Sequence, residues 1–545
     1  EMISNERKLP IAYFFENEIK AIKERIKPVY CQNHSYKCLK AVGNEVEELI
    51  RLVTFDIVSK IKASKNDTEL EENYITLKNI LSVHLDDGFI SMLPPLTKSK
   101  GGLVKNHEVN FNKHFDLKTI KSKYFKYLME QLYKLSQIKR KVGDKKGARK
   151  YASLDIMKIR SEQVESHNEF LKNTKLSNGK TVFDYKKTDR NKLIELYLQA
   201  KGLQDIAIEK GYRWLFITLT LDSHFHSNPT LGKNSWDGSS VRDGKNWIQA
   251  QLRKLRTKAK DDNKQFSLEN AFGIRVSEPM KDGTPHEHIM IFTKESDHEY
   301  YSNLFYQYFG RKVKTKIGFN EIEVVQGCKI VVEDTNDENE KYERGIASAA
   351  SYILKYCLKG MSLNQLESKF ANFSDIDAIN AWKSANRIRS VALLGIKSTK
   401  TKYNDCRKIA NYARNKSANS MISPDGVIRE LATLWSRSDY TSKSSNVTFY
   451  NFIQSKNLRK AIVDAERLVT LVNVASNKIN GKTDMRRFIK HADELTYTKH
   501  LQETRLGEIK KVNFEIGVGS AVINLKSIKM IKVVNPRKKI KTNAI

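Results

Sequence analysis

The chain has little cysteine, no long apolar run, no internal repeat and no phosphate-binding glycine loop. Each absence removes a class of protein. Cys31, Cys38, Cys328, Cys357 and Cys406 are the only five cysteines in 545 residues. They are too few and too scattered for a disulfide framework, so a reducing cytoplasm is expected. Cys31, His34 and Cys38 offer three zinc-type ligands, but no fourth follows nearby. No uninterrupted apolar stretch reaches the roughly 18 residues needed to cross a bilayer, so no membrane partner is expected. Glu1 to Arg7 lack the pattern of a signal peptide, and the start at Glu1 suggests a trimmed sequence. Gly238 to Asn246 comes nearest to a nucleotide phosphate loop. It fails the pattern, with five residues between its glycines and Asn after Lys.

What is present is positive charge. The formal net charge is +33 with an apolar fraction of 40%, ordinary for a folded chain. The length suggests two to four domains with material for real cores. Charge of this size opposes compaction, and a polyanionic partner explains it better than solvated lysine faces do. Lys139 to Lys150 concentrates seven basic residues against one acid, and the last 25 residues carry seven Lys or Arg and no acid.

Periodicity divides the chain. Residues 1–140 read as a helical basic region, with Val46, Leu49, Val53 and Ile57, then Ile120, Phe125, Leu128 and Leu132, at helical spacing. Residues 141–205 read as a helical connection, in a helical stretch from Leu154 to Glu209. From 206 to 395 the pattern changes to strands at Trp214–Thr220, Gly273–Glu278 and His286–Phe292, with helices at Gly244–Lys260 and Glu299–Phe309. Residues flanking Gln326-Gly327 suggest a hairpin, Asp334 to Glu343 an acidic loop, and Ser348 to Leu358 a helix. This is an α+β pattern on a central antiparallel sheet. Residues 396–545 read as a basic, helical region that binds DNA or a partner.

Two motifs carry chemistry. His286 and His288 stand at i and i+2 on a strand, so both rings share one face. A sheet holds such rings rigidly, and neutral imidazole is a common metal ligand. Twelve histidines give about 0.3 such pairs by chance, and a second pair, His224 and His226, falls in a polar loop and reads as a DNA contact. Glu278 ends the preceding strand, either as a third ligand or as a strand-end charge. Two imidazoles, one carboxylate and a phosphate substrate favour Mg²⁺ or Mn²⁺. Tyr352 and Tyr356 lie one helical turn apart and can present both hydroxyls together, or pack as core aromatics. A phenol is about 0.1% ionised at pH 7, a deficit of roughly 4 kcal/mol for a nucleophile. A divalent cation on the scissile phosphate offsets it, and Lys355 and Lys359 on the same helix supply further positive charge.

At these residues the chain resembles the bacteriophage replication gene A proteins, the two-tyrosine branch of the HUH endonucleases. Phe216-Ile217-Thr218-Leu219-Thr220 with Ser223 to His226 resembles the first motif. Gly273 to Pro279, then Asp282-Gly283-Thr284-Pro285-His286-Glu287-His288, resembles the second. Ala349-Ala350-Ser351-Tyr352-Ile353-Leu354-Lys355-Tyr356 resembles the third. The likeness covers about residues 150 to 410. It departs at Glu287, where the family usually has a bulky apolar residue, and at Met280-Lys281, where histidine often follows the Glu-Pro. Glu287 is expected to point to the opposite sheet face, leaving the imidazoles in place but changing the packing there.

The resemblance implies initiation of rolling-circle replication on single-stranded or supercoiled origin DNA in the host bacterial cytoplasm. One of Tyr352 and Tyr356 forms a 5′-phosphotyrosyl link, and the free 3′-hydroxyl primes a host DNA polymerase. The second tyrosine cleaves the regenerated origin. Strand separation falls to a host helicase. Lys355 belongs to the catalytic set, His286, His288 and Glu278 to the metal set, and Lys359 and Arg275 to DNA binding. A transposase or plasmid initiator of the same chemistry is the nearest alternative, and a non-catalytic origin-binding protein is one of a different class.

Overall fold

The computed structural model describes residues 35–93, 107–176, 179–230, 232–317, 320–332, 374–396, 401–406, 485–503, 509–519 and 521–525, with isolated positions and short pieces between them. The N-terminal part is a helical assembly. Helix α1 (Tyr36–Val53) starts where the Ser35 hydroxyl accepts the Cys38 N–H at 3.1 Å. It buries Leu39, Val42, Val46, Leu49 and Val53 against α2 (Asp67–His84) and α3 (Leu117–Ile138). Ile57 belongs to the same core, on the helix Phe55–Ala63. The expected stretch from Leu154 to Glu209 is two helices, α4 (Leu154–Asn173) and α5 (Asp189–Glu209). The segment between them holds a short turn of helix at Phe183–Tyr185.

The strands follow. They are β1 (Arg213–Thr220), β2 (Ala271–Pro279) and β3 (Pro285–Thr293), with α6 (Val241–Asp261) between β1 and β2. Helix α7 (His298–Phe309) leads into β4 (Arg311–Ile317), β5 (Asn320–Gln326) and β6 (Cys328–Val332). After α8 (Asp375–Ala385) comes β7 (Val391–Leu394). Five strands form one sheet in the order β6-β1-β3-β2-β7, and every pairing is antiparallel. The α+β architecture on a central antiparallel sheet is therefore as expected.

One pairing differs from the sequence reading. The hairpin is β4 with β5, whereas β6 leaves β5 and pairs with β1. Gly327 makes the switch at φ +86°, where a Cβ would lie 2.5 Å from the Phe309 carbonyl oxygen. Its carbonyl accepts the Thr220 N–H at 2.9 Å, which starts the β1–β6 ladder. The C-terminal region, expected to be helical, also contains a three-stranded antiparallel sheet: β8 (Thr496–Glu503), β9 (Ile509–Val518) and β10 (Ala521–Asn524). Alternation at Val512, Phe514, Ile516 and Val518 supports a strand better than a helix.

The central sheet is covered on both faces. Leu215, Ile217, Leu219, Ile289 and Ile291 pack under α6 and α7, against Ile248, Leu252, Leu255, Leu304 and Phe305. Phe216, Phe272, Ile274, Val276, Met290 and Phe292 pack on the other face, under α5 and C-terminal residues that include Leu471, Phe488 and Ile516. No described helix is long and apolar enough to cross a membrane.

Candidate functional site

The site grows out of a change in residue type along that second face. In β3 the row runs Phe292, Met290, His288, His286. In β1 it runs Trp214, Phe216, Thr218, Thr220, and in β2 Phe272, Ile274, Val276, Glu278. Each strand is apolar under the helices and polar at one shared end. The register aligns those ends: Thr218 faces His288, Thr220 faces His286, and Glu278 faces His286.

The side chains meet there. His288 Nε2 lies 2.8 Å from Glu278 Oε1. His288 Nδ1 lies 3.3 Å from Thr218 Oγ1, and His286 Nδ1 lies 3.2 Å from Thr220 Oγ1. The two imidazole centroids are 4.7 Å apart, and Phe216 stacks on the His288 ring at 5.5 Å. His288 is buried, whereas His286 and Glu278 keep partial access to solvent. A threonine hydroxyl both donates and accepts, so each threonine can receive an Nδ1–H and free Nε2 to ligate. The threonines were not singled out in the sequence. Their signal was a second i, i+2 pair inside the first motif, mirroring His286 and His288.

Two imidazoles and a carboxylate are ligand types that a divalent ion accepts. Adjacent ligands of a six-coordinate ion held at about 2.1 Å stand about 3 Å apart, close to the separation of His288 Nε2 and Glu278 Oε1. Among the described residues no three His, Cys, Asp or Glu side chains converge as a metal site. Glu278 is thus seen as the hydrogen-bond partner of His288.

The turn from Pro279 to Pro285 sets where β3 begins, and distant parts of the chain clamp it. Gln137 Nε2 on α3 donates to the Asp282 carbonyl at 3.2 Å and to Ser227 Oγ at 2.9 Å. Trp382 Nε1 on α8 donates to the Gly283 carbonyl at 2.7 Å, and the Tyr151 N–H to the Lys281 carbonyl at 3.0 Å. Gly283 sits at φ +86°, where a Cβ would stand 2.1 Å from the Tyr133 hydroxyl. His226 Nδ1 lies 3.1 Å from Asp282 Oδ2, so the second histidine pair contributes to the turn rather than to the His286–His288 cluster. Burial raises the Asp282 carboxyl, but the His226 and Thr284 hydrogen bonds outweigh it and hold it below the ordinary carboxylate range.

Behind the imidazoles the other face is closed. Glu287 points there, fully buried, and forms an ion pair with Lys245 of α6. Ser277 Oγ lies 2.6 Å from Lys245 Nζ and 2.9 Å from both Glu287 carboxylate oxygens. Burial pushes the Lys245 ammonium below its usual range, and Glu287 opposes that shift. Arg275 lies on this face too, with Nε 3.7 Å from Glu287 Oε2, apart from the imidazoles. Tyr352, Tyr356, Lys355 and Lys359 lie outside the described residues, as do Cys31 and His34.

Fold and site together define an α+β protein with paired imidazoles and a carboxylate at the open end of an antiparallel sheet. The chain belongs to the bacteriophage replication gene A protein family, whose model matches residues 39–363. It is 26% identical over 277 residues to the replication gene A protein of Escherichia phage 186, covering 48% of this chain and 38% of that protein. It is 30% identical over 167 residues to the replication protein of Haemophilus phage HP1, covering 31% and 19%. Against a probable replication endonuclease from prophage-like region 1 of Salmonella typhi it is 25% identical over 284 residues, covering 49% and 33%. The matches thus span less than two fifths of these relatives' own lengths. No solved structure matches.

Proposed function

We propose that the chain nicks and rejoins DNA at a replication origin and so starts and ends rolling-circle replication of phage DNA. In this reading Tyr352 and Tyr356 are the nucleophiles. Attack by one phenol oxygen forms a 5′-phosphotyrosyl bond as the P–O bond to the 3′ oxygen breaks. The released 3′-hydroxyl is then the primer for a host DNA polymerase, while a host helicase separates the strands. The second tyrosine cleaves the regenerated origin, and the displaced 3′-hydroxyl attacks the first phosphotyrosyl to close the circle.

The observation that carries this reading is the pairing of His286 and His288, threonine-backed, beside Glu278 at the open end of the sheet. These three are the residues that would hold Mg²⁺ or Mn²⁺, which supplies charge stabilisation on the scissile phosphate. Thr218 and Thr220 orient the rings, Phe216 fixes the plane of His288, and the clamped turn sets the height of His286. Lys355 and Lys359 neutralise phosphate charge near the tyrosines, whereas Arg275, on the closed face beside Glu287, is not retained as a DNA contact. The family match and the names of relatives, a replication endonuclease among them, support an endonuclease acting in replication.

The test is covalent capture on single-stranded oligonucleotides tiling the replicon that encodes the chain. A denaturation-resistant adduct is expected, with its mass on the peptide holding Tyr352 and Tyr356. Tyr352→Phe and Tyr356→Phe singly retain an adduct, and the double substitution abolishes it. An adduct surviving the double substitution overturns the tyrosine assignment. A wild-type chain that binds the origin with no adduct is the non-catalytic binding protein.

A further inference from the structure

A large cleft lies beside the site and has no part in the chemistry above. It runs between α4, the segment that enters α5, and α8, with a volume of about 1450 Å³. Small-molecule sites measure roughly 300–1,000 Å³, so this cleft is large enough for an extended polymer. Its lining holds six Lys or Arg side chains, Arg160, Lys186, Lys192 and Lys383 among them, against two aspartates, Asp184 and Asp377. Both aspartates are engaged in local turns. Asp184 accepts the Thr181 N–H at 2.7 Å, and Asp377 accepts the Ser374 N–H at 2.9 Å as part of the α8 capping box.

Aromatic rings stand among these cations. Phe170 lines the cleft and is 65% exposed, a large apolar face that no core claims. Phe183, also in the lining, has Lys172 Nζ 5.1 Å and Lys186 Nζ 5.6 Å from its ring centroid. An exposed ring and a second ring flanked by ammonium groups match what an unpaired strand offers: bases that stack and phosphates that need countercharge. A duplex hides its base faces and leaves the rings without partners.

The cleft also touches the site's framework. Ser390 lines it, and the Ser390 carbonyl accepts the Ser277 N–H at 2.7 Å, one residue before Glu278. Three residues before α4, Tyr151 bonds the turn ahead of His286. We propose that this cleft binds single-stranded DNA, with Phe170 and Phe183 as stacking platforms and Lys186 and Lys192 on its lip as phosphate partners, and so guides the strand toward the imidazole site. The proposal rests on the nuclease reading only for the role of the strand, not for its binding.

The experiment is fluorescence anisotropy of the full chain with a labelled oligothymidylate of about 16 nucleotides, in EDTA so that no cleavage intervenes. Phe170→Ala is expected to weaken binding by about tenfold, and to leave binding of a labelled duplex unchanged. Lys186→Gln with Lys192→Gln lowers the slope of log affinity against log salt by about 0.7 per lost phosphate partner. All three residues are exposed, and an unchanged melting temperature verifies folding. Wild-type affinity and slope in these variants overturn the proposal, as does an equal loss of duplex binding. Origin capture run in parallel separates the two readings. If the wild type binds through the cleft but forms no adduct, the nuclease reading falls and the cleft stands. If it forms adduct while the cleft variants bind normally, the reverse holds.

Discussion

The two faces of the central sheet treat polar residues in opposite ways within three consecutive positions. Glu287 lies under α6 and is fully buried, paired with Lys245 and Arg275 and hydrogen-bonded by Ser277. His286 and His288 project to the other face, where the cover of α5 ends and threonines orient the rings. A strand alternates its side chains mechanically. What each residue becomes depends on which helix lies over it. A polar group under a helix must find a fixed partner, while at the sheet end His286 and Glu278 keep access to solvent beside the buried His288.

The largest effect should come from breaking the closed face. Glu287→Ala leaves a buried ammonium without its countercharge and is expected to cost about 3–5 kcal/mol in urea unfolding. Lys245→Met combined with Glu287→Leu should recover part of that loss, with Arg275 still lacking its carboxylate partner. A small effect of Glu287→Ala would show that water reaches the face and that the two faces are not so different.

On the open face chemistry should fail with less change in stability. His286→Ala or His288→Ala is expected to lower adduct formation about a hundred- to a thousandfold with Mg²⁺ present, at near-normal stability for the partly exposed His286. Full activity in either variant removes the imidazoles from the mechanism. Thr218→Val keeps the shape of the side chain but deprives His288 Nδ1 of its hydroxyl. Titration of adduct yield with Mn²⁺ should then show metal affinity about ten- to a hundredfold weaker. Unchanged affinity would make the threonine a packing residue only.

The smallest effect concerns the turn that joins the faces. The Asp282 carboxyl is held below its ordinary range, by hydrogen bonds from His226 and Thr284 that outweigh its burial. A depressed carboxyl stabilises the fold above its unfolded pKa, near 3.9, and this is lost as pH falls through the lower folded value. Urea unfolding of the wild type and Asp282→Asn should therefore differ at neutral pH and converge on acidification. A constant gap would mean that the aspartate acts through shape rather than charge.

Much of this was legible in the sequence, because local periodicity and local chemistry suffice for it. Short apolar runs rich in aromatic and β-branched residues placed β1, β2 and β3, and i, i+2 spacing put His286 and His288 on one face with Glu287 on the other. The β6 pairing was not legible, since Gly327 redirects the chain through a φ that an adjacent Gln-Gly also offers to a hairpin. Nor was the clamp on the Pro279–Pro285 turn. Gln137 and Trp382 are separated from it by 145 and 99 residues, and nothing local to either marks the bond.

The sequence by itself determined which side chains could share a sheet face, how much positive charge the chain carries, and which family it resembles. Only the tertiary structure decided that the helical N-terminal part and α8 hold the turn ahead of His286. It also decided that Glu287 meets a lysine and that Phe170 and Phe183 stand in a basic cleft beside the site. Side-chain alternation and net charge follow from residue order, whereas these three arrangements depend on contacts between segments far apart in the chain, which no spacing along it encodes.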